Sequence, residues 1–264
     1  MSPLQIHVDG IGLFGPGMSG WAQARAVLSA QQPLLPGAPE LPPATALPPA
    51  ERRRVGTAIK LAMASGFEAV QHAGADAAQL ATVFSSTGGD CDNCHAILET
   101  LASDDRAVSP TRFHNSVHNA PADYWSIATG CMASSTSLCA FDATFAAGLL
   151  DAAVQALSSG QPCLLIAFDT AYPQPLQALR PIPYAMGVGL LLNPQRTAAA
   201  RATLAITLSQ DAATVMPDPA LEALRASIPA ARSLPLMQHL ARGSHGSVVI
   251  DYLGTPNLSI EVLP

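Results

Sequence analysis

Residues 138–169 constrain the fold more than any other stretch of this chain. LCAFDATFAAGLLDAAVQAL, residues 138–157, carries only two charges, Asp142 and Asp151. Its second half, residues 144–158, reads as a helix with almost no polar face, and QPCLLIAFD follows directly as an apolar run of strand length. A helix apolar all round and a strand apolar on both sides must both be covered on two faces. Two acids and many small side chains in the helix argue for the interior of a large protein over a membrane span. At 264 residues and 49% hydrophobic, the chain can build the core that this requires.

The remaining elements alternate. LQIHVDGIGL, residues 4–13, reads as a strand ending at the Gly15–Gly17 turn, and Trp21–Ala30 as a short helix. Seven prolines in residues 33–50 mark a surface loop. From Pro49, apolar residues at Val55, Ile59, Ala62, Met63, Phe67 and Val70 trace one face of a long helix with Gly74 at its end. LATVFSSTGG predicts a strand and a glycine turn, and a helix is expected from about Cys94 to Ala102. Residues 107–120 are polar and irregular; YWSIATG is a short helix behind Pro121. TSLCAF, AMGVGLLLN, ATLAITLSQ, GSVVIDYL and LSIEVL predict strands, the last two a hairpin or a pair of edge strands. This order indicates α/β layering around a mixed central sheet.

Charge excludes two classes of partner. Net charge is −6, Lys60 is the only lysine, and Arg52–Arg54 form the only basic run, so neither nucleic acid nor a basic membrane anchor is expected. The opening MSPLQIHVDG has no basic region followed by an apolar one. With five cysteines, an odd number, this points to reduced thiols in a cytoplasmic protein.

Three motifs could carry chemistry. Cys91-Asp92-Asn93-Cys94-His95 spells a haem-attachment motif, a redox pair or half a zinc site, yet no second ligand pair accompanies it. It is read as incidental, with a metal or redox protein on Cys91 and Cys94 as the alternative. GIGLFG at residues 10–15 matches the dinucleotide fingerprint by letters, but Pro16 and Gly17 interrupt the turn where the helix should begin. The loop with His114, Asn115, Ser116, His118 and Asn119 is either catalytic or satisfies its own backbone. No cofactor and no metal is expected.

The order and spacing of IHVDGIGLFGPG, RRRVGTAIKLAMASGFEAVQHAG, FSSTGGD, SPTRFHNSVHNA, the 136–169 strand–helix–strand and AMGVGLLLNP resemble β-ketoacyl synthases over residues 4–209. The resemblance implies a thiolase-like, layered α/β/α fold, the N-terminal half of a ketosynthase, with residues 210–264 a divergent tail in place of a second half. SPTRFHNSVHNAPADYWSIATG is similar to the short ketosynthase-like proteins of aryl polyene pigment pathways, which are themselves similar to chain length factors.

Active members carry a Cys at a sharp strand-to-helix elbow. Counted back from Gly160, that place is Ala143. Asp142 is expected to cap the following helix, and Thr144 is a poor nucleophile without a base. The resemblance therefore implies a non-catalytic, chain length factor-like subunit paired with an active β-ketoacyl-ACP synthase in type II fatty acid or polyketide biosynthesis, meeting acyl carrier protein through the complex. A stand-alone acyltransferase using Cys131 or Cys139 is the alternative. Ser137, Leu138, Cys139, Phe141 and Phe145 are placed at the partner interface and acyl channel, and His245 in the tail is expected to be structural.

Overall fold

The computed structural model describes residues 3–35 and 37–263; Pro36, within the proline-rich loop, lies outside them. In chain order the elements are β1 Leu4–Gly15, β2 Met18–Ser19, α1 Trp21–Leu28, α2 Pro49–Arg52, α3 Thr57–Ala73, β3 Ala81–Ser85, α4 Cys91–Ala102, α5 Pro110–His114, α6 Ala120–Thr129 and β4 Ser135–Leu138. There follow α7 Thr144–Ser159, β5 Cys163–Asp169, α8 Leu176–Leu179, β6 Met186–Asn193, β7 Ala202–Ser209, α9 Pro219–Ser227, α10 Leu234–Arg242, β8 Gly246–Ile250 and β9 Asn257–Leu263.

Eight strands form one mixed sheet in the order β4-β3-β5-β6-β1-β7-β9-β8, with β2 paired onto the end of β1. β3 is parallel to β4 and β5; the other pairings are antiparallel. The expected central strand is β5, buried at every residue. Its side chains alternate between two cores, as a pleated strand requires. Leu164, Ile166 and Phe168 face α3 and α6, where they meet Phe84, Trp125 and Leu61. Cys163, Leu165 and Ala167 face α7, beside Phe145 and Leu149. The layering is therefore α/β/α.

The glycines of the letter-perfect dinucleotide fingerprint have a packing role. A Cβ on Gly12 would lie 2.2 Å from the Ser65 carbonyl oxygen, and so would one on Gly189, its neighbour across the β1–β6 ladder. These bare positions let the small-residue face of α3 lie directly on the sheet.

The structure departs from the sequence expectations at several boundaries. The helix expected from Pro49 is split: α2 is a single turn, and α3 begins only after Gly56, whose extended backbone cannot continue a helix. α1 stops at Leu28, with Ala30 at φ +59°. α4 starts at Cys91, because the Asp90 carboxylate accepts from the Asn93 amide at 3.0 Å and caps it there. TSLCAF is a strand only as far as Leu138. The tail holds α9 and α10, which hydropathy alternation alone does not reveal, and its two strands join the main sheet, β9 inside and β8 at the edge. No helix among the described residues is long and apolar enough to cross a membrane.

Candidate functional site: the elbow between β4 and α7

β4 ends at Leu138, and the chain turns through Cys139 and Ala140 into a single 3-10 turn, Phe141–Ala143, before α7. The strained residue of this corner is Phe141, at φ +52°. A bulky side chain in the left-handed region costs about 1–3 kcal/mol and persists only where its surroundings dictate it. They do so here. The Thr87 and Thr144 hydroxyls both donate to the Phe141 carbonyl oxygen, at 2.6 and 2.5 Å. The Arg180 guanidinium lies 3.7 Å from the centre of the Phe141 ring, and Arg180 also pairs with Asp142. The ring itself is 64% exposed.

Ala143, the place reached by counting, lies two residues past this corner, buried at the start of α7. Asp142 does not cap α7: that helix has no side-chain cap, and the carboxylate turns outward to Arg180 and, at 3.4 Å, to Arg232. Two guanidiniums attract it more strongly than orphan amides do. Thr144 is committed to the corner, its Oγ1 also accepting from the Ala140 amide at 3.2 Å.

The two candidate thiols lie apart. Cys139 is exposed beside the elbow, and its Sγ donates to the Thr87 carbonyl oxygen at 3.2 Å. Cys131 is buried ahead of β4, at the other end of the strand, donating to the Leu80 carbonyl oxygen at 3.3 Å. Ser137 and Leu138 are half-buried on β4. Phe145 is wholly buried in the core on the α7 side and has no exposed surface.

The polar side chains of the loop mostly tie it to neighbouring segments. Asn115 donates to the Arg54 carbonyl oxygen at 2.9 Å and accepts from the Tyr124 hydroxyl at 3.0 Å. Ser116 donates to the Phe113 carbonyl oxygen, Asn119 reaches Asp123, and the His114 ring meets Tyr124 edge-on. Only His118 approaches the elbow's support, its Nε2 at 3.0 Å from the Ser86 carbonyl oxygen.

Cys91 and Cys94 lie on the first turn of α4, and their thiols donate to the Gly88 and Ser116 carbonyl oxygens. Burial, then the neighbouring Cys94 and acids, pushes the Cys91 thiol up to about 11; burial and Asp90 raise Cys94 as well. The raised pKa disfavours the thiolate, the form that attacks disulfides. His95 pairs with Glu99 at 3.2 Å, and no group of three or more metal-ligating side chains occurs among the described residues. His245 lies exposed just ahead of β8, at the opposite edge of the sheet from β4.

Sequence reasoning missed Asp169. It ends β5, wholly buried, and accepts from the Thr87 amide and the Ala230 amide, each at 2.8 Å. Burial raises its pKa to about 7, against those two hydrogen bonds and Arg180, which lower it. An acid closing an otherwise apolar strand was the available signal. Arg180 and Arg232 had none, since only the folded chain brings them to Asp142.

The model of the β-ketoacyl synthase N-terminal domain family matches residues 21–248 of this chain. The chain belongs to that family. Its fold is shared with a chain of the ketosynthase ApeO in complex with its chain length factor ApeC from Xenorhabdus doucetiae. That match has a TM-score of 0.74 and 22% identity, and covers 98% of this chain and 99% of the other. The ishigamide ketosynthase/chain length factor matches at TM-score 0.70 and 16% identity, again over 98% and 99% of the two chains. The type II polyketide synthase complex AntDE:AntF, an acyl carrier protein with its ketosynthase, matches at TM-score 0.73 and 11% identity over the same shares. At these identities the likeness is one of fold. A search of curated proteins finds no match.

Proposed function

We propose that this chain is a non-catalytic, chain length factor-like subunit that pairs with an active β-ketoacyl-ACP synthase. The reading places it in the cytoplasm, in type II fatty acid or polyketide assembly of the aryl polyene kind, with acyl carrier protein reached through the complex. The observation that carries it is the elbow: a phenylalanine occupies the strained residue, no thiol follows it before α7, and the nearby hydroxyls are spent on its carbonyl. A nucleophile needs a thiolate or a base-activated hydroxyl at such a corner.

The surface around the elbow supports a partner. Of fourteen large apolar side chains exposed among the described residues, ten fall between Leu98 and Leu179, the stretch that contains β4 and the elbow. An open strand edge with an exposed apolar ring such as Phe141 beside it suits a partner. Ser137, Leu138, Cys139 and Phe141 are the interface residues in this reading. The Phe141 ring faces the partner's acyl channel, whereas Phe145 supports it from inside.

Two measurements test the proposal. Co-expression with a β-ketoacyl-ACP synthase should yield a stable one-to-one complex by size exclusion. Incubation of the chain alone with malonyl- and acyl-loaded carrier protein should leave its intact mass unchanged and release no carbon dioxide. Acylation mapped to Cys131 or Cys139 would make it a stand-alone acyltransferase instead. Within the complex, Phe141→Ala is expected to lengthen the product; unchanged length in a stable complex removes the channel role and leaves the interface.

A further inference from the structure

The C-terminal part of the chain, after β7, bears directly on the elbow. A 3-10 turn, Pro229–Ser233, lies between α9 and α10 and packs against β5, β6 and α7. Two carboxylates from the preceding part of the chain reach it. Asp169 accepts from the Ala230 amide with one oxygen and from the Thr87 amide with the other. Asp142 pairs with Arg232 at 3.4 Å and with Arg180. Each therefore joins the tail turn to a group that touches Phe141: Thr87 through its hydroxyl on the Phe141 carbonyl, Arg180 through its guanidinium over the ring. Arg232 is tied in turn to Asp251 at 3.3 Å, and Asp251 to Arg225 at 2.9 Å, which holds Glu222. An ion-pair ladder thus runs from the outer face of the tail to the strained corner.

We propose that the turn Pro229–Ser233 holds the elbow in its positive-φ form, with Arg232 and Asp142 as positioning residues for the Phe141 ring. A bulky residue in the left-handed region relaxes when its supports are removed. An arginine bridging two acids fixes direction as well as charge. The tail thus acts as a built-in brace for the presented ring. The inference rests on the reading of the elbow as the face shown to a partner, and it concerns how that face is kept in shape.

Amide hydrogen exchange on the full-length chain tests it without any partner. Arg232→Ala and Asp142→Asn are each expected to speed exchange of the Ala140 and Ala143 amides about threefold to tenfold, with β5 and β6 exchanging as in the wild type. Arg232→Lys should restore part of the protection, and Arg225→Ala, at the far end of the ladder, should change the elbow least. Unchanged elbow exchange in Arg232→Ala overturns the proposal. So does acceleration spread equally over β5 and β6, because Arg232 would then stabilise the fold as a whole. Either result leaves pairing with a ketosynthase to its own test by size exclusion, so the two readings fail separately.

Discussion

The two edges of the sheet are finished differently. At β8 a loop residue covers one outward position: the Thr214 amide donates to the Val249 carbonyl oxygen at 2.8 Å, and the Val249 amide donates to Thr214 Oγ1 at 2.9 Å. At β4 nothing does so. The Ser134 and Leu138 carbonyls accept from Thr82 and Ser86 on the β3 side, so by the period of two Ser135 and Ser137 turn their N–H and C=O groups outward. Among the described residues those outward groups meet no hydrogen-bond partner. The chain thus pairs an outward position of one edge with a loop residue and pairs none of the outward positions of the other among the described residues. An open edge invites pairing with another strand, and the proposed partner would use it.

The largest expected effect tests where the core ends at the open edge. Phe145→Ala should cost about 3–5 kcal/mol, because it empties a wholly buried site. Phe141→Ala, four residues earlier and exposed, should leave the urea midpoint within about 0.5 kcal/mol of the wild type. Equal losses would show that the elbow ring is core.

The edges themselves can be exchanged in role. Ser137→Pro removes an outward N–H, so it should leave thermal stability nearly unchanged and weaken ketosynthase binding about 100-fold. Thr214→Val at the β8 edge should do the reverse, costing about 1 kcal/mol of stability through the stranded Val249 amide and leaving binding intact. Calorimetric unfolding and titration of the complex read both variants.

Acidity should act mainly at the open side, where Asp169 closes β5. Its folded pKa, about 7, stands above the unfolded carboxylate value. The folded chain therefore holds a proton that the unfolded chain releases. That contribution to stability is fully present below about pH 4 and is lost as pH rises through 7. Glu68 and Asp90, also raised by burial, act in the same direction; His7 and His72, lowered by burial, act oppositely below about pH 6.5. The midpoint of the wild type should fall between pH 5.5 and 8 by a component missing in Asp169→Asn; identical slopes would refute it.

The smallest effect concerns the motif that drew most attention in the sequence. Cys91→Ser with Cys94→Ser should shift stability by less than about 1 kcal/mol, since each thiol makes one weak hydrogen bond to a carbonyl. It should leave partner binding unaltered. A metal in the wild type that is lost from this variant would contradict the incidental reading.

The layered fold was legible because hydropathy has a period. β5 and α7 are apolar on all sides, and only a layer covered on both faces satisfies them, so the central strand, its buried helix and the α/β order follow from residues 144–169 alone. The glycine turns and the Gly74 terminus are local conformational demands, written in single residues. Cooperation across distance was not legible. The strain at Phe141 is one case: hydrogen bonds from Thr87 and Thr144 and the Arg180 guanidinium select that residue. Asp142 was assigned to the nearest helix terminus, the local choice; tertiary folding supplied two arginines, one 38 and one 90 residues further along, and these won. Helix and strand follow from neighbours within a few residues. Strained corners, buried carboxylates and the covering of a strand edge depend on groups that meet only when the sheet has closed.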